Sequence, residues 1–233
     1  MVYGPLEPPT KGLAVTLGHY SYDMTHTRSD LPERMTWEEL EQLPKEVASE
    51  IELGEGRVVV VRHAPREHQE ATGVLWSALR SVLAKREQAD ESPCLRASME
   101  TNVFLGKSAK SDFLTPDFLV HRCVPEFSDI RGSDVVIAGE VLSRSNTPGN
   151  IEARKARYAS AGIPWYWEVT LAADPARVAS IRIYGLESGY GELPSGVHPL
   201  RPANYLLVKE SDSGGIAFDY PFEIRVLWEQ LQI

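Results

Sequence analysis

The stretch Asp134–Leu142, DVVIAGEVL, decides the fold. It is apolar on both faces over a strand-length run, the pattern of a central strand covered from two sides. A helical pattern over about 149–161 follows, with Gly162 placed to stop it and Pro164 just beyond. WYWEVT (165–170) and the stretch around Val178–Tyr184 then read as further strands, as do the runs near 99–105 and 115–121. Strands alternating with a helix around one buried run predict a mixed α/β chain built on one sheet.

Farther out, residues 66–86 carry a second helical pattern. Ala71, Val74, Leu75, Ala78, Leu79, Val82 and Leu83 form one stripe at i, i+3, i+4 spacing, and His68 shares its inward face. Thr36-Trp-Glu-Glu39 is a capping box opening a short acidic helix through about Leu43. ASEIEL and RVVVVR flank Gly54-Glu55-Gly56 and predict a hairpin. From Leu206 onward, one more strand pair and a short terminal helix at about 223–231 are expected. Residues 1–34 begin Pro/Gly-rich and without periodicity, and read as a loose arm preceding a single domain over 35–233.

Of the 233 residues, 42% are hydrophobic and 24% charged, enough apolar mass for a real core. No apolar run approaches the roughly 18 residues of a membrane span, and pure stretches reach only four residues, as at Val58–Val61. Two cysteines, Cys94 and Cys123, are too few for a disulfide-stapled secreted scaffold, so a reduced cytoplasmic protein is expected. They also lack metal-binding spacing, which argues against zinc. The net charge of −9 is uneven: residues 23–55 hold ten Asp/Glu against three Lys/Arg, and the chain from Gly56 onward carries only −2. That excludes a globally basic nucleic-acid binder but leaves room for local patches. Arg144 through Arg157 is such a patch, with four basic residues against Glu152.

Glu140 is the strongest anomaly, a carboxylate inside an apolar strand that is costly to bury without a partner. It reads either as a strand-end glutamate paired with an arginine or as a metal or proton-transfer group. Asp117 follows Pro116 in TPDFLV at the opening of another apolar strand, where proline is tolerated. In the helix after Glu140, Ile151, Lys155 and Tyr158 stand at i, i+4, i+7, so Lys155 shares a face with two core candidates, although a snorkelling lysine has the same signature. Arg154 and Arg157 project to the flanks. Glu52 alternates with Glu50 and on its own reads first as a solvent-facing residue, and His68 first as a core histidine bonded to backbone. Carboxylates on neighbouring strand ends with a cation from the next helix suit Mg²⁺, which keeps several waters and takes phosphate oxygens.

The segments MTWEELEQLP, IELGEGRVVV, APREHQEATGVLWSAL, TPDFLV and GEVLSRSNTPGNIEARKARYASAGIPWYWEV occur in one order over about residues 35–170. With them the chain resembles the Uma-two family of restriction-endonuclease-like proteins, a bacterial branch of the PD-(D/E)xK nuclease superfamily. The resemblance implies a restriction endonuclease-like core, a central mixed β-sheet flanked by helices, here enlarged by an N-terminal hairpin and extra C-terminal strands. It implies Asp117 and Glu140 as metal ligands, Lys155 as the catalytic lysine, Glu52 as a further acidic site residue and His68 as a residue lining the site. Arg144, Arg154 and Arg157 would face nucleic acid, and Tyr158, Tyr166 and Trp167 would serve packing. The cofactor implied is Mg²⁺, replaceable by Mn²⁺, the substrate is DNA, and a homodimer would place two single-strand cuts on one duplex.

The chain departs from the family pattern at several points. Leu142 stands where the superfamily has a lysine two residues after the glutamate, and Ser143-Arg144-Ser145-Asn146, Asn150 and Thr170 replace frequent family residues. These departures motivate an alternative, a non-catalytic DNA-binding or protein-interaction module of the same fold. A serine hydrolase using Ser143 or Ser145 with His68 lacks the G-x-S-x-G elbow that would present the nucleophile.

Overall fold

The structure is a computed structural model that describes residues 31–61, 64–106, 110–143, 146–173, 176–187 and 204–233. Residues 1–30 of the expected arm lie outside this range. Glu33–Met35 already join the body: the Val58 amide donates to Glu33 O and the Met35 amide to Gly56 O.

Asp134–Leu142 supplies the central strand as expected. Strand β8 (Val135–Leu142) lies inside a six-stranded sheet, between β6 (Phe118–Arg122), antiparallel, and β9 (Trp165–Ala173), parallel. Outward from β9 come β10 (Ala176–Leu186) and β11 (Tyr205–Ser211), and outward from β6 comes β3 (Leu95–Met99). A parallel neighbour needs a crossover, and helix α4 (Pro148–Ser160) provides it. Its start is fixed by Thr147, whose hydroxyl accepts from the Asn150 amide, and by Pro148 in the first turn. Gly162 at φ +76° ends it.

Helix α3 (Arg66–Gln88) covers the opposite face of the sheet. Its stripe buries Ala71, Leu75, Leu79 and Leu83 against Phe118, Val120, Ile137, Val141, Trp167 and Val169. On the α4 face, Leu119, Ala138 and Tyr166 pack with Tyr158, Ala159 and Ile163. Gly139 lies beside Phe118 and Trp167 in the register, and a Cβ there would stand 2.1 Å from the Phe118 ring. A glycine in mid-strand thus lets an aromatic ring approach the backbone closely.

The N-terminal segment builds a second, five-stranded sheet. The hairpin β1 (Ile51–Gly54) and β2 (Arg57–Val60) turns through Glu55 and Gly56, both at positive φ. It continues through β5 (Phe113–Leu114) and β4 (Val103–Phe104) to β7 (Ile130–Arg131). Helix α1 (Trp37–Leu40) has the predicted capping box, and Trp37 meets Phe104 and Phe113 edge-on.

Several boundaries differ from the sequence reading. The acidic helix stops at Leu40, and a separate turn, α2 (Lys45–Ala48), follows Pro44. The run near 99–105 is split between two sheets, because Glu100 takes φ +46° and turns the chain. The tail adds the pair β12 (Ile216–Phe218) and β13 (Ile224–Val226), and only Trp228–Leu231 forms a 3₁₀ turn where a longer helix was expected. Cys94 and Cys123 are joined in a disulfide, against the expectation of reduced thiols. The β3–β6 register explains it: Leu95 pairs with Arg122, so the next pair outward is Cys94 with Cys123, Cα atoms 5.5 Å apart. Among the described residues no helix is long and apolar enough to cross a membrane.

Candidate active site

The chemistry gathers where one end of the six-stranded sheet meets α4 and the small sheet. The register Phe118↔Gly139 brings Asp117, one residue earlier, beside Glu140, one residue later. The Val141 amide donates to Asp117 Oδ2 at 2.6 Å, and His68 Nε2, from the first turns of α3, lies 3.1 Å from the same oxygen. Glu140 points to the other side, toward α4. There Arg154 donates to its Oε1 through Nε (3.0 Å) and Nη2 (2.8 Å), and the Tyr158 hydroxyl donates to the same atom.

Arg154 reaches further. Its Nη1 donates to Glu52 Oε2 at 2.6 Å and its Nη2 to Thr115 O, while Glu52 Oε1 accepts from the Thr115 amide. Glu52 is 2% exposed, so of its two readings the solvent-facing one fails. Strand β1 is buried on both faces at Ile51, Glu52 and Leu53, because the small sheet packs against α4 there.

Arg154 therefore takes the place expected for Lys155. Lys155 turns the other way along β9: its Nζ pairs with Glu168 Oε2 (2.9 Å) and Glu152 Oε1 (3.0 Å) and stands 4.2 Å from the Tyr184 ring centroid. Arg157 also points inward, donating to Leu53 O, Phe113 O and Asp112 Oδ1 and clamping the small sheet to α4. The basic patch expected to face nucleic acid is thus spent inside the protein at Arg154 and Arg157, and Arg144 lies outside the described residues. Tyr158, expected only to pack, is a donor to the site carboxylate. The signal for both was present: Arg154 and Tyr158 are i, i+4 on one helix, as good a shared face as the one that singled out Lys155.

The electrostatics follow from this geometry. Burial pushes the Glu140 carboxyl up, Arg154 pulls it down, and the charge of Asp117 pushes it up again, leaving it at about 7. Burial works against the Arg154 cation, but Glu140 and Glu52 hold its pKa well above the ordinary value, so it is a permanent charge. Burial and the adjacent Glu140 charge raise Tyr158, which keeps its proton to donate. For His68 burial acts downward, and the hydrogen bond and charge of Asp117 outweigh it, giving a net rise.

Glu52 and Glu140 thus share one guanidinium, while Asp117, held by the Val141 amide and His68, lies beside Glu140. Among the described residues no three His, Cys, Asp or Glu side chains form a closed metal cage. Two hard oxygens are nevertheless unengaged: Asp117 Oδ1 and Glu140 Oε2 accept no hydrogen bond from any described residue. That donor set fits an oxygen-seeking divalent cation that retains much of its water, and it does not fit zinc or a softer metal.

No curated protein matches the chain. Among solved structures, it is similar to a putative nuclease belonging to DUF820 from Anabaena variabilis ATCC 29413, with a TM-score of 0.54 and 17% identity, covering 84% of this chain and 97% of that one. At that identity the likeness is one of fold, a mixed sheet flanked by helices as the sequence predicts. Residues 37–203 match the family model described as "Uma2: Putative restriction endonuclease", and by that match over most of its length the chain belongs to the Uma2 family.

Proposed function

We propose that this protein is a metal-dependent DNA endonuclease that hydrolyses phosphodiester bonds, with Asp117 and Glu140 holding Mg²⁺ or Mn²⁺. The observation that carries this reading is the adjacency of two carboxylates on neighbouring strands, near enough for the charge of Asp117 to act on Glu140, each with one oxygen that accepts no hydrogen bond from a described residue, beside a fixed cation. When bound, the metal would lower the pKa of a coordinated water and neutralise charge on the phosphoryl oxygens. Arg154 holds Glu140 and keeps a positive charge at the site, the role the sequence reading gave to Lys155. Because it does not release a proton, it serves as an electrostatic group and not as a base. Glu52 anchors Arg154, and His68 anchors Asp117.

The test is incubation of plasmid and single-stranded DNA with the purified protein in Mg²⁺ and, separately, Mn²⁺, beside Glu140→Gln. Metal-dependent nicking that is lost in the variant is expected. Equal cleavage by both proteins would remove Glu140 from the site. The second reading, a non-catalytic protein-interaction module of the nuclease fold, draws support from the inward turn of Arg154 and Arg157, which takes positive charge away from any DNA-facing surface. It predicts neither products nor retention of DNA in either metal.

A further inference from the structure

The two proposed metal-binding carboxylates share a feature that the nuclease reading does not require. In each, one oxygen is engaged by donors of the protein and the other accepts no hydrogen bond from a described residue. Glu140 Oε1 accepts from Arg154 Nε, Arg154 Nη2 and the Tyr158 hydroxyl. Three donors occupy the acceptor directions of that one atom. Asp117 Oδ2 is held by the Val141 amide and faces His68 Nε2. The donors come from α4 in one case and from β8 and α3 in the other.

A carboxylate pinned in this way presents itself to a cation through a single oxygen. The distinction matters between cations of different size. Ca²⁺ takes six to eight oxygens and often both oxygens of one carboxylate, whereas Mg²⁺ takes six at short, near-octahedral distances through single oxygens and waters. Resting on the metal-dependent reading above, we propose that Tyr158 and His68 are positioning residues that enforce one-oxygen ligation by Glu140 and Asp117, and that this makes the site select Mg²⁺ and Mn²⁺ over Ca²⁺. Tyr158 suits the task because it is fully buried, its ring packs tilted against that of Tyr166, and its hydroxyl bonds to Glu140 at the centre of the site. His68 is likewise buried at the start of α3, its ring directed at Asp117.

The test reads binding rather than cleavage. Mn²⁺ is titrated into the full-length protein and followed by electron paramagnetic resonance, then displaced by Mg²⁺ and, separately, by Ca²⁺. The wild type should release Mn²⁺ to Mg²⁺ more readily than to Ca²⁺. Tyr158→Phe, which removes one oxygen atom, should narrow the Mg²⁺-to-Ca²⁺ ratio by about three- to tenfold, the equilibrium equivalent of one hydrogen bond. His68→Gln, altering the other carboxylate, should move the ratio the same way and stands in if Tyr158→Phe does not fold. Folded variants with the wild-type ratio would overturn this inference and leave the nuclease reading intact. A wild type that binds Mn²⁺ but prefers Ca²⁺ would do the same. No Mn²⁺ binding by the wild type would bring down the metal-dependent reading itself, and the selectivity with it.

Discussion

Glu140 and Glu168 are partners in the register of β8 and β9, both face α4, and each meets one of two consecutive basic residues, Arg154 and Lys155. Two nearly identical starting points end differently. Around Glu168 the charges are more nearly matched: Lys155 binds it and Glu152, and Arg182 approaches it at 3.6 Å while pairing with Glu210. Around Glu140 one guanidinium serves two buried carboxylates, Glu52 and Glu140, and Asp117 Oδ1 and Glu140 Oε2 accept no hydrogen bond from a described residue. The Glu168 cluster is an ion-pair network that holds helix to sheet. In the Glu140 cluster a single cation serves two buried carboxylates, the balance on which the proposed metal site rests.

Removing the cation from each cluster should separate them most sharply. Arg154→Met leaves Glu52 and Glu140 buried without a counter-charge, and about 3–5 kcal/mol of stability should be lost in urea unfolding. Any DNA cleavage should go with it. Lys155→Met should cost less, about 1–3 kcal/mol, and leave cleavage in place, since Glu152 is largely exposed and Arg182 remains near Glu168. If cleavage instead survives the arginine change and dies with the lysine change, the comparison is inverted.

Beneath both clusters, Gly139→Ala would drive a Cβ into the Phe118 ring and disturb the strand that carries Glu140. A loss of about 1–3 kcal/mol in thermal or urea unfolding is expected. Glu140→Gln should sharpen the contrast from the other side. The amide oxygen still accepts from Tyr158 and Arg154 while the buried charge disappears, so stability should change by less than about 1.5 kcal/mol. Glu168→Gln, in the matched cluster, should leave Mn²⁺ binding untouched, whereas Glu140→Gln should abolish it.

The smallest effect concerns a histidine outside both clusters. Burial holds His121 below its ordinary value of 6.5, with Ser98 Oγ near Nε2 and Arg122 O near Nδ1. The unfolded chain therefore takes up a proton before the folded one does. Its contribution to stability is complete above about pH 6.5 and is lost as the pH falls through the folded value, with a slope no steeper than about 1.4 kcal/mol per pH unit. The stability difference between wild type and His121→Gln, measured from pH 7.5 to 5, should shrink on the acid side.

The sequence made the framework legible wherever one residue type has a single physical use. DVVIAGEVL can only be a covered strand, Thr147 and Gly162 bound α4, and Asp117 and Glu140 converge because their strands are neighbours. The choice between Arg154 and Lys155 was not legible. Successive helical positions differ by about 100°, so both flank Tyr158, and only the placement of α4 over β8 and β9 decides which meets which glutamate. The disulfide was hidden for a similar reason, since 29 residues separate cysteines that the β3–β6 register sets side by side. Glu52 looked like a surface residue because its partner lies 102 positions later in the chain.

That last distance has a consequence for how the molecule is put together. Glu52 belongs to the small sheet, yet it is bonded to the helix that crosses between β8 and β9, and Arg157 grips the same hairpin one turn farther along. The proposed metal-binding centre is therefore a seam between an early and a late portion of the chain. Until both have been made and have closed on each other, Arg154 lacks one of its two acidic partners, so the arrangement around Glu140 is complete only once the small sheet and α4 have met.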